Sequence, residues 1–321
     1  MRVVCDAYIP FLFEAVRKEW PQVEIVPMKP EEIDSSAVRR ADVLVVRTRT
    51  QVNEALLSGS SVRLVCTATI GYDHIDTAYC EAHGIKWMSC PGCNAQAVCD
   101  YIEEALEEIM DKGQRTKDTI VPTIGVVGVG HVGSLVAKMA ERKGYQVLLN
   151  DPPKGIGESL DFIAQNCDII TFHVPLDKTT YHLCNEVFFA KCKPGAWIIN
   201  AARGGVVDEQ ALMRSGHPFI LDTWENEPNL NPDVLARAFR ATMHIAGYSV
   251  EGKRNASQMC LDAVAQEFGL AKFEILRYRD YEITTEKGDS APGWLSRISD
   301  SLKANPTSFE SLRKSYPLRG E

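Results

Sequence analysis

Three glycines constrain most what this chain can fold into. Gly128, Gly130 and Gly133 stand between an apolar run at 124–127 and a stretch at 134–143 that reads as a helix. This spacing suits a strand that turns sharply into a helix. The first glycine permits the turn, the second leaves the backbone open to a phosphate, and the third lets helix and strand pack closely. The next expected strand, at 146–149, runs into Asp151, about 20 residues beyond the turn. A carboxylate there accepts hydrogen bonds from a ribose diol and repels a ribose phosphate, which favours NAD over NADP. A glycine-rich turn with no ligand is the simpler alternative, and the placement of Asp151 counts against it.

The rest of the chain fits an α/β sheet. Expected strands at 2–5, 23–26, 42–46 and 62–66 alternate with helical segments such as 10–20, which implies parallel strands covered on both faces. Two of these strands end in polar blocks, Arg47-Thr48-Arg49-Thr50 and Thr67-Ala68-Thr69-Ile70-Gly71. Ligands of such sheets bind beyond the carboxyl ends of strands. A helix is expected at 95–110, with Val98, Ile102, Ala105, Leu106 and Ile109 at helical spacing. Further strands follow at 169–172, 197–200, 219–221 and 242–245, with helices at 209–214 and 256–268. At 321 residues the chain exceeds what one core usually supports. The expected division is a substrate-binding domain at 1–94 and 255–275, a nucleotide-binding domain at 95–254, and a C-terminal region at 276–321.

Composition narrows the partners. A net charge of −8 argues against a general nucleic-acid binder, which carries a basic face. No apolar run reaches the length of a membrane span, and Asp6 and Glu14 interrupt the stretch a signal peptide would need, so a cytoplasmic protein is expected. Of the 10 cysteines, Cys5, Cys66 and Cys167 fall in apolar segments, as reduced core thiols do. Cys90-Pro91-Gly92-Cys93 has the C-x-x-C form but no second pair of ligands, so no metal site is expected.

Three polar blocks follow the glycine turn and carry the groups for hydride chemistry on a hydroxyl-bearing carbon. Arg203 offers a permanently charged fork for a carboxylate. His244 is the candidate base for a hydroxyl proton, and Glu227 the carboxylate that would favour its imidazolium. Singly, each has an ordinary reading as a core histidine, a loop acid or a loop cation. Their joint occurrence at strand ends favours a reacting centre.

The segments GVVGVGHVG, LLNDPP, DIITFHVPL, INAARGGVVD, LDTWENEP and HIAGYS resemble the D-2-hydroxyacid dehydrogenases. The blocks RTRT, TATIGYDHID, PGCNA and EGKRNA narrow the resemblance to members acting on a phosphorylated 2-hydroxy acid in vitamin B6 synthesis. The resemblance implies two doubly wound parallel-sheet domains, a Rossmann nucleotide-binding domain inserted into a flavodoxin-like substrate domain, with a short C-terminal dimerisation region. It implies NAD as cofactor, a homodimer, and Arg203, Glu227 and His244 as catalytic positions. Thr48, Thr69 and Tyr248 match substrate-contacting positions, and Arg47 or Arg49 is a candidate cation for the phosphate. His131, Val132, Asp151, Val174, Ala201, Ala202, Asp222 and Gly247 match cofactor-contacting positions. The chain departs from the family at Met243, His131 and Val174, where proline, asparagine and threonine are usual. Two other readings stay open: a related dehydrogenase acting on 3-phosphoglycerate or an unphosphorylated 2-hydroxy acid, and an NAD-sensing protein without turnover.

Overall fold

The computed structural model describes residues 1–112, 121–275 and 293–320. The chain forms two compact units, Met1–Asn94 with Ser249–Thr284, and Ala95–Tyr248 with Thr285–Glu321.

The first unit contains β1 (Arg2–Asp6), β2 (Glu24–Met28), β3 (Val43–Val46), β4 (Leu64–Thr67) and β5 (Lys86–Met88). They pair in parallel in the order β2-β1-β3-β4-β5. β3 is continuously apolar and β4 is apolar up to its last residue, Thr67, and both are buried throughout, as expected of strands covered on both faces. β5 carries no sequence signal of a strand: it is a short, partly exposed edge strand whose three residues show no periodicity. The helix Val250–Phe268 packs on this sheet and starts earlier than the expected 256, because the Ser249 side chain caps it by accepting from Gly252 N at 2.9 Å. All ten cysteines are free thiols, and Cys90 lies in the core with its Sγ donating to Thr67 O and Ala256 O at 3.3 Å.

The second unit contains β6 (Thr123–Val127), β7 (Gln146–Asp151), β8 (Ile156–Gly157), β9 (Ile169–Phe172), β10 (Trp197–Asn200), β11 (Phe219–Leu221) and β12 (Arg240–Ala241). Their order is β12-β11-β10-β9-β6-β7-β8, parallel except between β7 and β8. Consecutive connections reverse direction between β6 and β9, so the carboxyl ends of these two strands form the topological switch point. The helix Ala95–Lys112 buries Val98, Ile102, Ala105, Leu106 and Ile109 against this core, as their spacing predicts.

One expected strand is corrected. Residues 242–245 do not continue the sheet, because β12 stops at Ala241. The Asp222 carboxylate draws the chain away by accepting from Thr242 Oγ1 at 2.6 Å, Ile245 N at 2.8 Å and Ala246 N at 3.0 Å. The C-terminal segment also packs here: Trp294, Leu295, Leu302, Phe309 and Tyr316 belong to the core of the second unit. Residues 276–292 of the expected C-terminal region lie outside the described residues. Among the described residues, no helix is long and apolar enough to cross a membrane.

Candidate active site

At the switch point the three glycines do different work. Gly128 has φ 89°, and a Cβ there would lie 2.6 Å from His173 O. A Cβ on Gly133 would lie 1.9 Å from Gly128 O, so neither position accepts a side chain. Gly130 has nothing within 4 Å of its Cβ position and caps the helix His131–Arg142, whose first N–H groups have no partner in that helix. The turn is thus tight where strand and helix meet and open where an anion would approach.

Asp151 ends β7 and accepts from Val129 N on Oδ2 at 2.9 Å, which ties the acid to the turn. Lys154 lies 3.7 Å from the same oxygen and donates to Val129 O at 2.7 Å. Among the described residues nothing bonds Oδ1, which leaves it for a ribose hydroxyl. Val174 follows β9 and lines the turn beside Gly128. Next to it, burial pushes the His173 imidazole down to about 3, so this histidine is neutral and bonds Thr171 Oγ1 at 3.1 Å. His131 and Val132 open the helix, and Ala201 and Ala202 follow β10. Open backbone, helix terminus and acid together fit a dinucleotide.

The candidate reacting groups follow neighbouring strands of the same unit. Asn200, at the end of β10, accepts from Ala202 N at 3.1 Å and donates to Arg203 O at 2.8 Å, which curls the chain into the loop that presents Arg203. The Arg203 Nη1 donates to Ala202 O at 2.8 Å. Beside it, a Cβ on Gly204 would lie 1.9 Å from Trp224 O, so the arginine loop is pressed against the loop carrying Glu227.

Glu227 Oε1 accepts from Trp224 N at 2.9 Å, and Oε2 lies 2.9 Å from His244 Nδ1. With Nδ1 engaged, the Nε2 edge of His244 is the one left for a substrate hydroxyl. Burial raises the Glu227 carboxyl, but the hydrogen bond and charge of His244, the Trp224 N–H and the charge of Arg313 outweigh it, and the net shift is downward. Glu227 is therefore an anion ready to stabilise an imidazolium.

His244 itself has φ 58°, in the left-handed region. Such a residue costs about 1–3 kcal/mol and persists only where its surroundings enforce it. The enforcing residue is Asp222, 1% exposed, whose backbone oxygen accepts from His244 N at 2.9 Å and whose carboxylate holds the residues on either side. The Asp222 side chain thereby shapes the histidine loop. Gly247 and Tyr248 follow, and the Tyr248 hydroxyl accepts from Arg313 Nε at 3.0 Å.

In the first unit, Arg47 pairs with buried Asp6 through Nε at 2.8 Å and Nη2 at 3.2 Å. Thr48 is exposed beside it. Thr69 Oγ1 is 2.6 Å from Thr67 Oγ1 and donates to Gly71 O at 2.9 Å, and His74 Nε2 continues the chain at 3.0 Å from Thr67 Oγ1.

Sequence reasoning missed three supports. Arg313 arrives from far down the chain. Glu209, 3% exposed, accepts from Glu225 N at 2.9 Å, and His182 Nε2 lies 2.6 Å from Glu225 Oε1. Both hold the loop that carries Glu227, and nothing local in the sequence marks them for it.

The sequence profile described as "D-isomer specific 2-hydroxyacid dehydrogenase, NAD binding domain" matches residues 98–246. An erythronate-4-phosphate dehydrogenase of Bacteroides fragilis is 42% identical, with 100% of this chain and 97% of the relative covered. One of Pseudomonas fluorescens is 40% identical over 100% of this chain and 93% of its own. Among solved structures, the NAD+-bound 3-phosphoglycerate dehydrogenase of Entamoeba histolytica superimposes with a TM-score of 0.71 at 25% identity, covering 85% of this chain and 98% of that one.

Proposed function

Because the chain belongs to the D-isomer specific 2-hydroxyacid dehydrogenases and is an NAD-dependent oxidoreductase, we propose that it oxidises 4-phospho-D-erythronate to 2-oxo-3-hydroxy-4-phosphobutanoate in vitamin B6 synthesis. The observation that carries this reading is the Glu227–His244 pair at 2.9 Å, in a chain matched along its whole length by relatives named for that substrate.

Bound NAD supplies the two-electron acceptor for the hydride lost from C2. His244 takes the C2 hydroxyl proton on Nε2 as the carbonyl forms, and Glu227 stabilises the resulting imidazolium through Nδ1. Arg203 holds the substrate carboxylate and draws charge toward the forming C=O. The open backbone at Gly130, the helix terminus at His131 and Val132, and Asp151 would hold the dinucleotide, with Val174, Ala201, Ala202 and Gly247 around it. By family correspondence Thr48, Thr69 and Tyr248 contact the substrate. The same correspondence supports a homodimer, and a monomer in sedimentation at micromolar concentration would refute that part.

The test is purified protein with NAD, 4-phospho-D-erythronate and a 2-oxo acid to assist turnover. Reduced cofactor is expected, with kcat/KM exceeding that on 3-phosphoglycerate or an unphosphorylated 2-hydroxy acid. His244→Gln should lower kcat by about 10²–10⁴. Absence of turnover, or equal rates in the His244 variant, would overturn the reading and favour an NAD-sensing protein.

A further inference from the structure

A substrate with a carboxylate and a phosphate brings more negative charge than Arg203 alone can meet. Arg47 already forms a two-point pair with the buried Asp6 carboxylate. The second unit holds another guanidinium beside the reacting pair. Arg313 lies on the C-terminal helix Phe309–Ser315, and its Nε donates to the Tyr248 hydroxyl at 3.0 Å. Its guanidinium carbon stands 5.7 Å from the centre of the Tyr248 ring.

Beyond Tyr248, its other polar contact among the described residues is Nη1 to Glu310 Oε1 at 3.5 Å, a long pair between partly exposed groups that contributes little. Of five N–H donors, the group has thus committed few, and the side chain stays 26% exposed. Its charge is felt by Glu227, whose carboxyl it lowers. Tyr248 follows His244 in the same loop. The helix therefore delivers a positioned, under-used cation to the edge of the reacting centre.

We propose that Arg313, oriented by Tyr248, is a specificity-determining residue that receives the terminal phosphate of the substrate. A guanidinium edge with uncommitted donors suits a phosphate, which accepts two parallel hydrogen bonds. The assignment rests on the reading under Proposed function that the substrate is a phosphorylated 2-hydroxy acid.

The experiment compares wild type with Arg313→Gln and Arg313→Lys. Two quantities are read: KM for 4-phospho-D-erythronate, and Ki for unphosphorylated D-erythronate as a competitive inhibitor. Thermal melting and NAD titration by fluorescence confirm that the variants fold and bind cofactor. Arg313→Gln should raise KM for the phosphorylated substrate roughly 10- to 100-fold, the range for a lost charge-assisted hydrogen bond, and change the D-erythronate Ki by less than about threefold. Arg313→Lys should restore part of the loss. An unchanged KM, or an equal loss on both compounds, would overturn the proposal; the second outcome would leave Arg313 as a support for Tyr248 only. Should the Gln variant not fold, the Lys variant is judged on the same ratio. If wild type itself shows no turnover of the phosphorylated acid, the parent reading falls and this assignment falls with it.

Discussion

The centre depends on carboxyl groups that do opposite things at close quarters. Glu227 is lowered and stays ionised, whereas Glu209 is pushed up to about 7, first by burial and then, against the Glu225 N–H bond that lowers it, by the charges of Glu225, Glu227 and Asp208. A carboxyl whose folded value exceeds its ordinary 4.5 binds its proton more tightly in the native state. The stability it contributes is present below that ordinary value and is lost as pH rises through about 7. Glu209→Gln should therefore flatten the fall in unfolding free energy across this window, by an amount on the order of 1–3 kcal/mol at its upper end, and Tm should follow. Melting curves of both proteins from acid to neutral pH check this, and parallel curves would refute it. Arg203, Glu227 and His244 were legible in the sequence because each sits in a short block whose residue types state its chemistry. Glu209, His182 and Arg313 were not, because their meaning lies in contacts with residues distant in the chain.

At the level of elements, regular periodicity was legible and non-local competition was not. The helix Ala95–Lys112 and the strands β6, β9 and β10 followed from apolar spacing alone. The false strand at 242–245 failed because Asp222, just beyond the end of β11, offers acceptors that outcompete the sheet for that stretch. Asp222→Ala should leave buried donors without partners and cost about 2–4 kcal/mol, seen as a lower denaturation midpoint with a disproportionate loss of kcat. The glycine turn reads in the sequence as a tight turn at Gly128, open backbone at Gly130 and close packing at Gly133, and the close approaches at Gly128 and Gly133 agree with it. Gly133→Ala places a methyl carbon 1.9 Å from Gly128 O, so the helix must move off the strand. A fall in NAD affinity of at least tenfold is expected by fluorescence titration, and unaltered binding would contradict the close-approach argument.

For the molecule as a whole, the C-terminal segment is part of the nucleotide-binding unit rather than an appendage to it. Arg319 is 5% exposed; its Nη2 donates to Ala246 O, and to Ala97 O and Ile245 O at 3.3 Å, while its guanidinium carbon lies 4.5 Å from the Trp294 ring centre. It braces from behind the loop whose front edge carries His244. Arg319→Met should cost about 2–3 kcal/mol, the range for losing charge-assisted hydrogen bonds to buried carbonyls. A Tm matching wild type would show that the brace is dispensable.

This bracing also sets an order of events during synthesis. His244, Asp222 and the glycine turn leave the ribosome well before Arg313 and Arg319 do. A growing chain has every strand of both sheets out while its histidine loop still lacks the two arginines that hold and complement it. Cofactor affinity should accordingly appear before substrate turnover as the chain lengthens.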